Sequence, residues 1–261
     1  MPASLLIHFF PQQELSRSAA SGRWVHGLIF ELFNRLDPVY AATLHDNKGD
    51  RPFTLSPILV NTKGNTIQSG QICRVRLTLL QEEKLAELLS VLARIKPYEL
   101  RLGNTSICLE KIELSPQPEL SLVAYQTWSE LLALTPQRYI TLKWLSPTAI
   151  KQKSRNSLFP VPETIFWSWQ QKWSHYSTIP LLQEFSKDEW FEYTQVNNYQ
   201  LETTTAYFGA YKQKGFKGWA SYEIKGNEAI QHTAAVLSRF AFYCGTGYKT
   251  TIGMGQTVKQ K

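Results

Sequence analysis

Apolar and polar positions follow two different periods along this chain, and the switches between them mark out its elements. The opening run SLLIHFF at 4–10 is apolar enough for a buried strand and stops at Pro11. Between Arg23 and Leu36 the period becomes helical, with Trp24, Val25, Leu28, Ile29, Leu32, Phe33 and Leu36 on one face, and Asp37-Pro38 ends the run. A short segment, VYAATLHD, leads into the loop NKGDRP and a strand-like run from Phe53 to Val60. Over 71–80, Ile72, Arg74, Arg76 and Thr78 alternate with Cys73, Val75, Leu77 and Leu79, which predicts a strand with one buried face. EEKLAELLSVLAR at 82–94 is the clearest helix, and short strands fit 98–102, 105–114 and 120–127.

Strand, helix, strand, strand, helix, strand is the split βαβ order of a ferredoxin-like domain. The second half repeats it. A helix is predicted at 128–134, a strand at 138–145, a proline-rich loop over 147–162 and a helix at 163–173 carrying Phe166, Trp167, Trp169 and Trp173. Strands follow at 191–205, 216–224 and 250–258, with a helix at 228–242 between the last two. No low-complexity linker intervenes, so the expected architecture is α+β, with two tandem ferredoxin-like domains, 1–127 and 128–261, packed directly on each other.

Composition supports this division. A chain of 261 residues suits two modest domains, 43% hydrophobic residues supply a core, and 19% charged residues is too few for a disordered polypeptide. The net charge of +7 attracts polyanions or an acidic membrane surface, and only the placement of the cations decides between them. Cys73, Cys108 and Cys244 are too few and too scattered for a disulfide framework or a zinc ribbon, which fits a reducing cytoplasm. The N-terminus lacks the basic start and cleavage site of a signal peptide, and no stretch approaches the roughly 20 apolar residues of a membrane helix. A cytoplasmic protein without a membrane partner is expected.

The most distinctive local feature is Cys244-Gly-Thr-Gly-Tyr-Lys-Thr-Thr-Ile-Gly-Met-Gly-Gln256. Gly245, Gly247, Gly253 and Gly255 let backbone amides approach a phosphate chain, and Tyr248, Lys249, Thr250 and Thr251 add a ring, a charge and hydroxyls. A glycine-rich hairpin without a ligand fits the same residues. The spacing matches neither a Walker loop nor a dinucleotide fingerprint, which weakens a nucleotide-binding or phosphotransferase reading. A second basic stretch, Lys151, Lys153 and Arg155, can clamp a sugar-phosphate backbone or stand as solvated surface. Aromatics beside lysines, such as Tyr211 near Lys212, can stack on bases, although core packing explains most Phe and Trp.

The aspartates are only Asp37, Asp46, Asp50 and Asp188, and no acidic pair stands in an obvious catalytic setting, so no metal or other cofactor is expected. RNA can still be cut, because its own 2′-hydroxyl attacks the adjacent phosphate given a base, an acid and a cation. His45 stands beside the loop carrying Lys48 and Arg51, and His26 lies on the preceding helix. His45 equally suits a turn or cap, and His26 an ordinary half-buried helix position.

Three segments resemble the CRISPR repeat-processing endoribonucleases, the sixth Cas family of the RAMP superfamily. They are WVHGLIFELFNRLDPVYAATLHDNKGDRPFTLSPI at 24–58, LSPTAIKQKSRNSLFPVPETIFWSW at 145–169, and GFKGWASYEI at 215–224 joined to GTGYKTTIGMGQ at 245–256. The resemblance implies two RRM-related, ferredoxin-like domains side by side, a basic RNA cleft and a C-terminal glycine-rich loop against it. It places the family's loop histidine on His45 and its following cation on Arg51. Where some members carry a tyrosine on the first helix this chain has Phe30, which transfers no proton; His26, one turn earlier, can supply that group, and the alternative is a lost base with slow turnover. Cleavage leaving a 2′,3′-cyclic phosphate and a 5′-hydroxyl is implied, with CRISPR repeat RNA as the partner and other Cas proteins of an interference complex left open. The competing reading is a non-catalytic repeat-binding subunit, which needs no histidine-plus-cation pair.

Overall fold

A computed structural model describes residues 1–16, 22–46, 51–61, 64–116, 122–209 and 211–260. The first half runs β1 (Ala3–Pro11), β2 (Leu15–Ser16), α1 (Gly22–Leu36), α2 (Pro38–Asp46), β3 (Phe53–Leu55), β4 (Thr66–Ile67), β5 (Cys73–Leu79), α3 (Glu82–Leu92), β6 (Leu100–Leu102), β7 (Thr105–Glu113) and β8 (Ala124–Tyr125). Its main sheet has the order β3-β5-β1-β7-β6, with antiparallel neighbours throughout. The second half runs α4 (Trp128–Leu132), β9 (Tyr139–Thr148), β10 (Ile150–Gln152), β11 (Arg155–Ser157), α5 (Pro162–Tyr176), α6 (Lys187–Tyr193), β12 (Thr194–Tyr207), β13 (Lys212–Ile224), α7 (Glu228–Cys244) and β14 (Thr257–Gln260). Its sheet order, β12-β13-β9-β14, is the same topology: each first strand, β1 or β9, lies between the third and fourth of its own repeat. These are the two tandem ferredoxin-like units expected.

Several element boundaries differ, each for a local reason. The short segment VYAATLHD, given no element by its pattern, lies in α2, because Asp37 both stops one helix and starts the next: its carboxylate accepts from the Val39 and Tyr40 amides at 2.9 and 3.0 Å, and Pro38 fills the first helical position. The run to Val60 keeps only Phe53–Leu55 plus a single bridge between Leu59 and Arg74, interrupted at Pro57. The loop expected over 147–162 contains the β10–β11 hairpin. Residues 187–193, partly assigned to a strand, form α6, started by a capping box between Ser186 and Glu189. The strand expected at 250–258 is a 3-10 turn at Thr250–Ile252 followed by β14 from Thr257.

Helix α7 joins the two halves. From Ala234 to Cys244 all but Arg239 of its residues are buried, as expected for a helix covered on every side. The last carbonyls of an α-helix have no intrahelical donor, and here each finds one. The carbonyl of Phe242 accepts from Arg76 Nη2 at 2.6 Å and that of Tyr243 from Thr78 Oγ1 at 2.6 Å, both on β5. That of Cys244 accepts from Lys172 Nζ at 3.2 Å and that of Gly245 from Trp169 Nε1 at 3.0 Å, both on α5. Two buried cations thus sit where the helix dipole is negative. Arg76 goes further: Nη1 donates to Gln256 Oε1 at 2.8 Å, Nε to Ser4 Oγ at 2.8 Å, and the guanidinium lies 3.9 Å from the Phe242 ring centre. Alternation predicted one covered face for β5, yet both faces are buried because the second half covers the first sheet. Among the described residues no helix is long and apolar enough to cross a membrane.

Candidate active site

The apolar stripe of α1, through Val25, Ile29 and Phe33, packs on the first sheet and leaves His26 and Phe30, one turn apart, at the edge of that contact, half-buried. Gly22 opens the helix against the glycine-rich loop; a Cβ there would lie 1.6 Å from the carbonyl oxygen of Ile252. Only glycine permits this approach, and it brings His26 Nδ1 to 2.9 Å from the carbonyl oxygen of Thr251. A carbonyl only accepts, so Nδ1 carries the proton and, in the neutral ring, the lone pair stands on Nε2. Burial holds the His26 imidazole below its ordinary value, overcoming the Thr251 carbonyl, and the charge of Arg51 and the nearby His45 push the same way.

The Phe30 ring is the hub of the site. The His26 ring centre lies 4.4 Å from it, the His45 ring 6.2 Å and the Arg51 guanidinium 5.8 Å. His45 stands not on a loop but in the last turn of α2, with its side chain exposed. Arg51 Nε donates to the carbonyl of Leu44 at 2.7 Å and Nη2 reaches that of His45 at 3.4 Å, so the arginine caps the helix carrying the histidine. Partial burial lowers the Arg51 pKa from its ordinary value. Two imidazoles and a guanidinium therefore meet around one aromatic ring, an arrangement able to move two protons and stabilise an anion. Lys48 lies outside the described residues.

The glycine-rich loop faces inward more than the sequence suggests. Gly247 has φ +74° and its Cβ would lie 2.4 Å from the carbonyl oxygen of Ala149; Gly255, at φ +71°, would meet that of Thr246 at 2.1 Å. Gly245 and Gly253 pack less tightly, their Cβ positions lying 3.1 Å from the Gly255 carbonyl oxygen and 3.2 Å from the Pro57 nitrogen. The amides of Thr246, Tyr248 and Gly255 are already engaged, donating to Gly255, Ala149 and Pro147. Those three amides are therefore spent within the fold, and the loop's side chains add further means of contact. Tyr248 is exposed, Thr250 and Thr251 are half-buried, and Lys249 Nζ lies 4.1, 4.9 and 5.1 Å from the ring centres of Tyr211, Phe208 and Tyr248.

Lys151, Lys153 and Arg155 are exposed on the β10–β11 hairpin, not on an irregular loop, with Lys153 in the left-handed region at φ +53°. Lys151 Nζ lies 5.7 Å from the Tyr248 ring centre, which joins the hairpin to the loop. The Thr251 carbonyl that orients His26 was not legible beforehand, because a backbone acceptor more than 200 residues away leaves no trace in composition. Phe208 and Tyr211 beside Lys249 are equally hidden, since in the sequence Tyr211 stands only as an aromatic near Lys212.

Comparison with known proteins agrees with this fold. The family model described as the CRISPR Cas6 N-terminal domain matches residues 1–134, and that of the CRISPR-associated endoribonuclease Cas6 matches 142–257. A CRISPR-associated endoribonuclease Cas6 of Streptococcus thermophilus is 26% identical over 88% of this chain and 87% of its own length. One of Mycobacterium tuberculosis is 22% identical over 93% of this chain and 72% of its own. Among solved structures, a Thermus thermophilus Cas6 product complex superposes with a TM-score of 0.85 at 27% identity, covering 100% of both chains.

Proposed function

This chain belongs to the CRISPR-associated endoribonuclease Cas6 family, and from that premise we propose how it cuts repeat RNA in a precursor transcript. The lone pair on His26 Nε2 takes the proton of the 2′-hydroxyl at the scissile nucleotide. The 2′-oxygen attacks the adjacent phosphorus, His45 returns a proton to the departing 5′-oxygen, and Arg51 stabilises the charge on the non-bridging oxygens. The products are a 2′,3′-cyclic phosphate and a 5′-hydroxyl, and no step uses a metal. The observation that carries this assignment is the bond from His26 Nδ1 to the Thr251 carbonyl, which in the neutral ring leaves the lone pair on Nε2. Phe30 takes no part in proton transfer; it sets the spacing of the two imidazoles.

Residues 1–127 supply the reacting groups in this reading. Residues 128–261 supply the grip on RNA, through Tyr248, Lys249 and the hairpin lysines. The protein works in the cytoplasm on the precursor transcript, and the cut repeat it retains is what other Cas proteins would receive. The test is single-turnover cleavage of a labelled CRISPR repeat from the source genome in excess EDTA. The intact protein cuts once; a 2′-deoxy scissile nucleotide and His45→Ala each abolish cutting while RNA stays bound, and His26→Ala slows it by about 10² to 10⁴. Tight binding without cutting by the intact protein would replace the enzyme with a repeat-binding subunit. A magnesium requirement, or undiminished cutting by His45→Ala, would remove the mechanism.

A further inference from the structure

Beyond the β10–β11 hairpin, on the side of α5, lies an open groove of about 640 Å³ that the chemistry above does not use. Lys151 and Lys153 of the hairpin and Lys187 of α6 line it, together with Trp167, Gln171 and Glu163 of α5. Gln152 Nε2 donates to Thr164 Oγ1 at 3.4 Å, tying the hairpin to α5. The groove falls within the roughly 300 to 1,000 Å³ of small-ligand sites, so it has room for a nucleotide.

Its chemistry narrows the occupant. Three ammonium groups against one carboxylate favour an anion, and an indole offers a flat apolar surface for a ring. An unpaired nucleotide brings both together, a phosphate and a base with a free face; a base-paired stem buries its faces in its own stack. Lys151 also connects this groove to the site already described, since it lines the groove and lies over Tyr248 of the glycine-rich loop. A strand leaving the loop past Tyr248 has a cationic path over Lys151 towards Lys187.

We infer that this groove is a second RNA subsite, which holds an unpaired nucleotide flanking the cut repeat, with Trp167 stacking on its base and Lys151, Lys153 and Lys187 on its phosphates. The inference rests on the repeat-RNA reading above, and the experiment separates the two. Binding is measured by fluorescence anisotropy in EDTA with the full chain and three RNAs carrying a 2′-deoxy scissile nucleotide: the repeat with both single-stranded flanks, and the same repeat trimmed on the 5′ or the 3′ side. Trimming the flank that occupies the groove weakens binding by the intact protein. Trp167→Ala loses about 5- to 150-fold on the two RNAs that carry that flank, with the loss confined to them, and Trp167→Phe recovers most of it. Lys187→Ala, an exposed change that leaves the fold alone, lowers the slope of log affinity against log salt by about 0.7 for the flanked RNA. Equal affinity of Trp167→Ala and Lys187→Ala with the intact protein on every RNA overturns the subsite and leaves the nuclease reading intact. So does an equal loss on all three RNAs with a lowered melting temperature for Trp167→Ala, together with an unchanged salt slope for Lys187→Ala. If the intact protein binds none of the three, the repeat-RNA reading fails first.

Discussion

Two helices of this molecule end against an arginine. At the end of α7, Arg76 donates to the carbonyl of Phe242 and has its other nitrogens taken by Gln256 and Ser4, with the Phe242 ring against its face; it is 1% exposed. At the end of α2, Arg51 donates to the carbonyls of Leu44 and His45 and is only partly buried, beside an exposed histidine. Residue type and interaction are the same, yet one arginine closes the fold while the other stands at a candidate active site. The difference lies in what fills the remaining donors. A guanidinium has five N–H groups, and when protein takes them on every side it has nothing to offer a ligand. Burial lowers the Arg76 pKa to about 9, still above neutrality, so a charge without a carboxylate partner among the described residues rests on one helix carbonyl and an aromatic face.

The widest separation between the two should come from truncating each. Arg76→Ala leaves the Phe242 carbonyl and Gln256 without their donor inside the contact between the two sheets, and is expected to destabilise the fold by about 3–5 kcal/mol in urea unfolding. Arg51→Ala should cost less than about 1 kcal/mol by the same measurement, because a solvent-facing cap can be replaced by water. Its effect appears instead in single-turnover cleavage, as a loss of about 10² to 10³. If Arg51→Ala unfolds as readily as Arg76→Ala, or cuts at the parental rate, the two arginines do not divide the work in this way.

A smaller effect is expected where the two regions touch. Gly22→Ala pushes a methyl group into the Ile252 carbonyl, so α1 and the glycine-rich loop must separate. The overpacking should cost about 1–3 kcal/mol in the same unfolding measurement. It should also slow cutting, by stretching the His26–Thr251 bond. Gly27, on the same helix with open space around its Cβ position, is the control, and Gly27→Ala should leave the fold at least as stable. A Gly22→Ala protein as active and stable as its parent would mean that the loop does not set the His26 geometry.

How much of this was legible beforehand depended on where each constraint lay. Helix α1 announced itself because its partners are on one face; α2 did not, because VYAATLHD has no sustained stripe and Asp37-Pro38 reads as a stop unless its start is recognised too. The capping box before α6 is written in Ser186 and Glu189, but the strand-like run that begins at 191 overlaps the end of the helix and hides it. His26, His45 and Arg51 could be named as a group from residue type and family likeness, and the structure brings all three around Phe30. The role of Arg76 was illegible, since a period of two says which residues share a face but not that a second sheet's helix covers that face. The glycines were noticed for the right reason, close approach, but what approaches at 247 and 255 is the chain's own backbone.

The finest distinction is one of pH. If His26 is the base, it works when neutral, and the same burial that holds its pKa below the ordinary 6.5 keeps it neutral at pH 7. With protein well below saturation, the second-order rate of cleavage reports the free enzyme. On the acid side it should stay level down through pH 6.5 and fall, by up to about tenfold per unit, only below the depressed value. Stability moves the same way. The unfolded chain binds this proton at a higher pH than the folded one, so the contribution of a neutral His26 is fully present above 6.5 and is lost as pH falls below it. Phe30→Ala opens a path for water to His26, which should raise its pKa and move the acid limb of the rate profile upward. An acid limb that already begins above pH 7 in the parent, or one that Phe30→Ala does not move, would take the role of base away from His26.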